Sequence, residues 1–498
     1  MKSLKNLLIP FIILIALVIG VVIYYAVNNA GIGSSNESSA TGAVDVVFIN
    51  TLDLSSVTVY NRSTANNTKV NCISASDGSI TYEYAGDDVM AGEKYSQSSL
   101  YDFVSNMTMF SSTTKVSSTG NYAEYGLDNP SFIITINTKN GAATTVYLGN
   151  LSPDGSYCYM CLSGSSDIYI VPGSKLEAAD KDSLDFLDPT VLDIELSDIK
   201  NVHFDRTTDN LSLDAVYVED DSGNYIFNIV KPYSHPASSY FKTLISHVAK
   251  LQISDYLELS AGDLATYGLD KPVYHFSITL NNGQTKELYI SSKLKGYYYG
   301  YITGMNKYFM LSDYQIDGVD LQELILIDSN VFTCRPSDYS SVIGTYGDKS
   351  FKLNLDVADG KTVADTSSSV SLDGRNAKIN DSNGRSYCSI LFESMSGIKI
   401  GGIEIKENLN TSSGSVLTLA FIDKNYKTTT YEFYARNSDS YYVCKDGEYL
   451  GFYVYAKELF YNAGTDTYNY GCWSAYELLN EAISNNINGI YDIQVTTE

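Results

Sequence analysis

Tyr125-Gly-Leu-Asp-Asn-Pro130 returns as Tyr267-Gly-Leu-Asp-Lys-Pro272, 142 residues later. Self-similarity of this kind marks a repeated structural unit, so the two copies set the frame for the rest of the chain. Each is followed by an alternating apolar segment, Phe132-Ile-Ile-Thr-Ile136 and Phe276-Ser-Ile-Thr-Leu280, then by Asn140-Gly141 or Asn282-Gly283. A second alternating segment follows each pair, Thr145-Val-Tyr-Leu148 and Glu287-Leu-Tyr-Ile290. Period-two alternation on both sides of Asn-Gly predicts a β-hairpin. Tyrosine-rich strands come next, 157–160 with 168–171 and 297–302 with 308–311. Upstream, Val57-Thr-Val-Tyr-Asn-Arg62-Ser aligns with Asn201-Val-His-Phe-Asp-Arg206-Thr at a shift of 144.

One short amphipathic helix is expected per copy, over 96–110 and 239–251. In the second, Phe241, Leu244, Ile245, Val248 and Leu251 follow the spacing of a half-buried helix. A more diverged third copy is expected, with a helix over 386–396, a hairpin over 417–421 and 430–434, and later strands over 441–443 and 451–454; its Tyr-Gly-Leu-Asp-x-Pro sequence is gone. Strands with one helix and a four-strand meander make an α+β unit of tandem antiparallel sheets. The expected domains are residues 44–192, 193–330 and 331–498, the last with a C-terminal helix. Units of this size are expected to bury their own cores.

The repeated signature reads as structure. Tyr125 and Tyr267 head it, Gly126 and Gly268 supply a positive φ, and Leu127 and Leu269 enter the core. Asp128 and Asp270 are expected to close Asx turns, and Pro130 and Pro272 to open an edge strand.

Residues 7–27 carry no charge over 21 positions. As a helix with 1.5 Å rise per residue they match the ~30 Å core of a bilayer. Lys2 and Lys5 precede the run and no Lys or Arg follows until Arg62. This asymmetry places residues 1–6 in the cytoplasm and the bulk of the chain outside the cell membrane, as a single-pass protein. The run is longer than a signal-peptide core, so the anchor reads as uncleaved. Residues 28–43 are small and polar, a flexible linker.

The chain holds 33 Lys and Arg against 58 Asp and Glu, a net charge of −25. So acidic a chain is not built to displace phosphate counterions, which excludes nucleic acid as a partner. Seven cysteines, an odd number, leave at least one thiol without an intrachain partner. Cys158 and Cys161 have C-x-x-C spacing but lie in a strand pattern that points them to opposite faces. Only four histidines occur, His203, His235, His247 and His275, with no H-E-x-x-H, so neither a metal site nor a cofactor is expected. Gly344-Thr-Tyr-Gly-Asp-Lys-Ser350 imitates a phosphate loop but reads as a hairpin turn. Acidic runs at 219–221 and 356–359 lack the full spacing of a Ca²⁺ loop. Ser112-Thr-Thr-Lys115 and Ser396-Gly-Ile-Lys399 match S-x-x-K, yet the companion motifs of penicillin-binding enzymes are missing, and no G-x-S-x-G occurs. No catalytic residue is nominated.

The 43 tyrosines are the unusual count. Tyr297, Tyr298, Tyr299 and Tyr301, with Tyr441 and Tyr442, form the densest patches and the candidate interaction surface, since tyrosine on alternating strands offers flat amphipathic faces. High strand propensity is the alternative reason for their abundance.

The signature at residues 125–130 and 267–272, with the strand pairs at 157–171 and 297–311, resembles the domain of unknown function 4340 family. The resemblance covers about residues 45–330 and more weakly 331–475. It implies a bacterial, single-anchor extracytoplasmic protein, often encoded beside an ABC-type permease and an auxiliary exported subunit, and it carries no catalytic residues to transfer. The resulting expectation is a non-catalytic accessory or scaffold subunit of an ABC-type transport or envelope complex; the alternative is a cell-wall or glycan-binding module using the tyrosine faces.

Overall fold

The structure is a computed structural model that describes residues 44–493 apart from 113, 120, 221–222, 261, 306 and 463–468. The expected anchor and linker over 7–43 lie outside the described residues. Among the described residues no helix is long and apolar enough to cross a membrane. The chain forms two compact units, one from residues 44–91 and 97–183, the other from 92–96 and 184 onward.

Three large sheets, of eight, nine and nine strands, follow one path, and every pairing within them is antiparallel. In the second sheet the chain lays down Ile199–Arg206, Leu211–Glu219, Tyr225–Lys231 and His235–Pro236 from the middle outward. A helix, Ser239–Ala249, then carries it to the opposite edge, where Asp255–Leu257 is placed. The meander Tyr274–Leu280, Thr285–Ile290, Tyr298–Ile302 and Tyr308–Leu311 fills the gap between. The first sheet uses the helix Gln97–Thr108 and the far-edge strand Lys115–Ser117, the third Tyr387–Ser396 and Gly402–Ile403. The third copy thus repeats the full path without the signature residues. A C-terminal helix, Cys472–Asn485, follows it.

The helices form where an apolar stripe meets a start signal. In Ser239–Ala249 the buried residues are Phe241, Leu244, Ile245, Val248 and Ala249, and the Ser238 side chain accepts from the amides of Tyr240 and Phe241. Phe241 meets Phe227 of the sheet edge-on, with centroids 5.6 Å apart, so the helix covers the sheet's buried face. Ser386 caps the equivalent third helix by accepting from the Ser389 amide.

Two expectations need correction. The alignment of Val57 with Asn201 is one residue out of register. Val57, Val59 and Asn61 are buried in the first sheet, and Val202, Phe204 and Arg206 in the second. Asn61 faces Phe132 across the ladder and Arg206 faces Tyr274, so the true shift on this strand is 145. A slip of one residue exchanges the two faces of a strand, and matching Arg62 to Arg206 by identity does just that. Secondly, the second and third sheets do not bury separate cores: one apolar cluster runs from Leu192 to Tyr491. Phe452 of the third sheet meets Tyr233 and His235 of the second, each at 4.9 Å between centroids. The amide of Val331 donates to Ile398 and that of Ile400 to Ser329.

The central hairpins close with three-residue loops. Gly141 and Gly283 adopt φ of 86° and 85° after a tight turn, the bulged form of the Asn-Gly hairpin. In the third sheet Tyr426 holds this position at φ 66° and is 84% exposed. A bulky side chain is strained there and buries nothing in return. Tyr426→Gly is expected to raise stability by about 0.5–1 kcal/mol in urea unfolding; a loss would show that the ring contributes in a way its exposure does not reveal.

All seven cysteines are free thiols. Burial pushes Cys388 and Cys472 up to about 12, which keeps both as inert core side chains. The phosphate-loop look-alike is a hairpin, with Gly347 at φ 56° between Tyr339–Tyr346 and Lys349–Asp356.

Candidate functional site

The Tyr-Gly-Leu-Asp-x-Pro signature is a chain reversal. A 3-10 turn, Tyr122–Tyr125, ends on Gly126 at φ 70°; the Gly126 amide donates to Ala123 and the Leu127 amide to Tyr122. Gly268 at φ 68° ends Leu264–Tyr267 identically, with bonds to Ala265 and Leu264. This pair of bonds is the Schellman closure, which calls for a residue without Cβ at the glycine. Leu127 and Leu269 are buried beyond it. The neighbouring strand runs so close that a Cβ on Gly149 would lie 2.3 Å from the Tyr125 carbonyl oxygen. Asp128 and Asp270 are exposed, and the reversal is closed by backbone bonds rather than by the expected Asx turns. The strand after Pro130 and Pro272 is central rather than an edge, flanked on both sides by partners. Pro130 serves through its carbonyl, which accepts from Arg62 Nε at 2.9 Å.

The tyrosine patches do not form the expected open face. Tyr298, Tyr299 and Tyr442 are buried, Tyr301 and Tyr441 half-buried, and Tyr297 exposed. Tyr298 donates to Asp320 at 3.0 Å and Tyr442 to Glu404 at 2.9 Å, while Tyr299 packs edge-on against Tyr267 of the signature. These rings fill strand positions and satisfy their hydroxyls internally. The S-x-x-K matches do not pair either. Ser112 Oγ lies 2.7 Å from the Ile170 carbonyl and Lys115 pairs with Asp167. Ser396 Oγ bonds the Glu393 carbonyl, and Lys399 Nζ reaches Ser329 and Asn330.

The register of the second sheet gathers what spacing along the chain conceals. His203 and Asp205 are two apart on one strand and share its outward face, with Val202, Phe204 and Arg206 pointing into the core. Asp205 lies opposite His275, and His203 opposite both Asp214 and Ser277. His203 Nδ1 lies 2.6 Å from Asp214 and Nε2 2.8 Å from Asp205 Oδ2. His275 Nε2 lies 2.6 Å from Glu287, and its Nδ1 is 3.6 Å from the same Asp205 oxygen. One ligand atom each from His203, Asp205 and His275 lie within 4.8 Å of one another. Outer supports complete the group: Lys231 reaches Asp214 at 3.0 Å and Ser277 donates to Glu287 at 2.7 Å. The Tyr289 ring lies flat on His275 at 4.5 Å, and Tyr301 flat on Tyr289 at 5.0 Å.

Partial burial works against charge on His203, but the carboxylates of Asp214 and Asp205 outweigh it and hold the ring above its ordinary pKa. Burial likewise pushes Asp205 and Asp214 up; for Asp205 the bonds from Ser212 and His203 prevail, for Asp214 those from His203 and Lys231, and both carboxyls sit below the usual range.

The cluster belongs to one sheet alone. At the positions of His203, Asp205 and His275 the ladder register places Thr58, Tyr60 and Ile133 in the first sheet and Ile343, Thr345 and Thr418 in the third. Asp214 is replaced by Lys69 and Lys352. The signal was present in the sequence: His203-x-Asp205 on an alternating strand and His275 on the hairpin that pairs with it.

A path used three times, with a helix crossing each antiparallel sheet and a short strand closing its far edge, defines a tandem α+β sheet protein. The chain belongs to the family of the domain of unknown function (DUF4340), whose model matches residues 92–272 and again 242–381. No curated protein and no solved structure matches it. The first match starts beside the helix of the first sheet and ends at Pro272, and the second starts within the helix of the second sheet, so neither begins at the start of a sheet. The second match stops within the third sheet, after the outer strands and before that sheet's helix.

Proposed function

We propose that this protein is a non-catalytic extracytoplasmic accessory or scaffold subunit, anchored by residues 7–27, whose sheets present different outward faces to partners in an ABC-type transport or envelope assembly. The observation that carries this reading is the contrast between the two faces of equivalent strands. Inward positions in the middle of these strands stay apolar, as Val57, Val202 and Val342, or Ile136, Ile278 and Phe421. Outward positions change class, as Thr58, His203 and Ile343, or Lys69, Asp214 and Lys352. A frame kept for its core while its exposed faces diverge suits a protein that displays several surfaces.

Purification of the tagged full chain from its native membrane in mild detergent tests the reading. Stoichiometric recovery of a multi-spanning permease with its ATPase, or of another envelope complex, is the expected result. A chain that migrates alone under conditions that keep known envelope complexes intact overturns it. Glycan binding draws less support, because a sugar needs open ring faces and Tyr301 and Tyr289 stack on each other.

A further inference from the structure

We propose that His203, Asp205 and His275 form a binding site for one divalent transition-metal ion of the zinc class. The inference stands apart from the scaffold reading and rests on the arrangement of the second sheet's outward face.

Each imidazole turns one nitrogen to a carboxylate and the other toward Asp205. His203 offers Nε2 inward while Nδ1 is held by Asp214; His275 offers Nδ1 inward while Nε2 is held by Glu287. A carboxylate behind a ligating histidine fixes the tautomer, aims the lone pair and raises ligand basicity, and metal-binding histidines almost always carry a carboxylate, carbonyl or water in that place. Here both do. The supports are themselves held, Asp214 by Lys231 and Glu287 by Ser277.

The spacing suits a small ion. Tetrahedral bonds of ~2.0–2.1 Å set neighbouring ligand atoms about 3.3 Å apart. The two imidazole-to-Asp205 separations, 2.8 and 3.6 Å, bracket that value, and all three ligand atoms lie within 4.8 Å of one another, so seating the ion calls for side-chain rotation rather than a change of backbone. Two imidazoles and a carboxylate favour zinc, cobalt or nickel over calcium or magnesium, which prefer all-oxygen sites. Asp205, Asp214 and Glu287 bring three negative charges against the single positive charge of Lys231, so a dication is electrostatically welcome. The ligands sit on two paired central strands and their supporting carboxylates on the two strands that flank them, a more rigid platform than loops. Three protein ligands on a partly open face leave a coordination position for water or a group from a partner.

The two sister sheets supply the control. They share the strand register and carry none of the three ligands, and they put lysine at the position of Asp214. Local sheet geometry therefore does not by itself demand a histidine–carboxylate group here.

The test uses the full chain in detergent, stripped of metal by a chelator and titrated with Zn²⁺ by calorimetry, with Co²⁺ absorption as a second readout and Ca²⁺ as the control. One Zn²⁺ per chain, tetrahedral-type Co²⁺ bands and no response to Ca²⁺ are expected. His203→Thr combined with His275→Ile, the residues the first sheet carries at these positions, is expected to weaken Zn²⁺ binding at least about 100-fold, and Glu287→Gln about 10- to 100-fold. Should the double variant fail to fold, Asp205→Asn and Glu287→Gln, which keep side-chain shape, decide the matter. Absence of one-equivalent Zn²⁺ binding by the wild type, or wild-type affinity in the variants, overturns the proposal and leaves the cluster as an ion-pair network only.

Discussion

A fragment confined to residues 193–330 is expected to show no cooperative thermal transition, whereas the fragment 184–498 unfolds in a single step. The reason is the core shared by the second and third sheets. Cutting at 330 uncovers Tyr233 and His235, which close over Phe452 in the intact chain. It also removes the third sheet's donor to Ser329, the Ile400 amide. Uncovering a side chain the size of tyrosine or phenylalanine loses about 1.5–3 kcal/mol. A backbone hydrogen bond adds about 1 kcal/mol. Exposure of Tyr233, part of His235 and the rest of the joint therefore removes about 4–6 kcal/mol, against a total of about 5–15 kcal/mol for a typical domain. Near-ultraviolet circular dichroism and scanning calorimetry provide the readout. Two separate transitions in 184–498, with a folded 193–330, would show that the joint is a docking contact between independent bodies. Phe452→Ala in the full chain examines the same joint by a smaller change and is expected to cost about 3–5 kcal/mol.

This joint also marks where sequence reading stopped. The signature, the hairpins and the helices were legible because they rest on local rules: Gly126 after a turn, Asn140-Gly141 between alternating segments, and Phe241, Leu244, Ile245 and Val248 on one helix face. The third copy was legible from strand pattern alone, because a sheet's path tolerates loss of one reversal motif. What stayed hidden depends on partners distant in the chain. The far-edge strands Lys115–Ser117, Asp255–Leu257 and Gly402–Ile403 are two or three residues long and exist only because a finished meander offers them an edge. A single apolar pattern gives no sign of whether Tyr233 is covered by its own unit or by the next.

The one-residue slip has a more specific cause. Arg62 and Arg206 attract each other in an alignment because both are arginines, yet they do different work. Arg206 is buried, reaches the carbonyls of Val319 and Leu321, and pairs with Asp209. In the first sheet the equivalent inward position is Asn61, which donates to Asp180 at 2.7 Å. Both tie the end of the first strand to the segment beyond the meander, with side chains of different length. Corrected by one position, His203 and Asp205 move to the outward face opposite Asp214 and His275, and the cluster becomes visible. The tyrosines misled for the reverse reason: their count suggested an exposed surface, while the strands absorbed Tyr298, Tyr299 and Tyr442 as core with their hydroxyls satisfied.

The second large effect concerns how the three copies fill one position with different volumes. Val59, Phe204 and Gly344 are equivalent, and so are Ile134, Phe276 and Leu419 opposite them. In the second sheet Phe204 and Phe276 stack at 4.6 Å. In the third, Gly344 leaves that space to Phe351, whose ring then stacks on Tyr476 of the C-terminal helix at 4.5 Å. A Cβ on Gly344 would lie 2.3 Å from Phe351 Cε1, an overlap that a fully packed ring cannot accommodate without moving the helix. Gly344→Ala is therefore expected to destabilise the protein by about 1–3 kcal/mol and Gly344→Val by more, although both residues favour a strand over glycine. Phe351→Leu alone is expected to be destabilising through lost burial and lost contact with Tyr476. Combined with Gly344→Ala it should recover part of the loss, giving a coupling of about 1 kcal/mol or more in a double-mutant cycle read by urea unfolding. Additive losses would mean that the ring does not own the space next to Gly344. A gain in stability from Gly344→Ala would mean that strand propensity outweighs the overlap, and that the third sheet does not exchange a large side chain on one strand for a ring from the next.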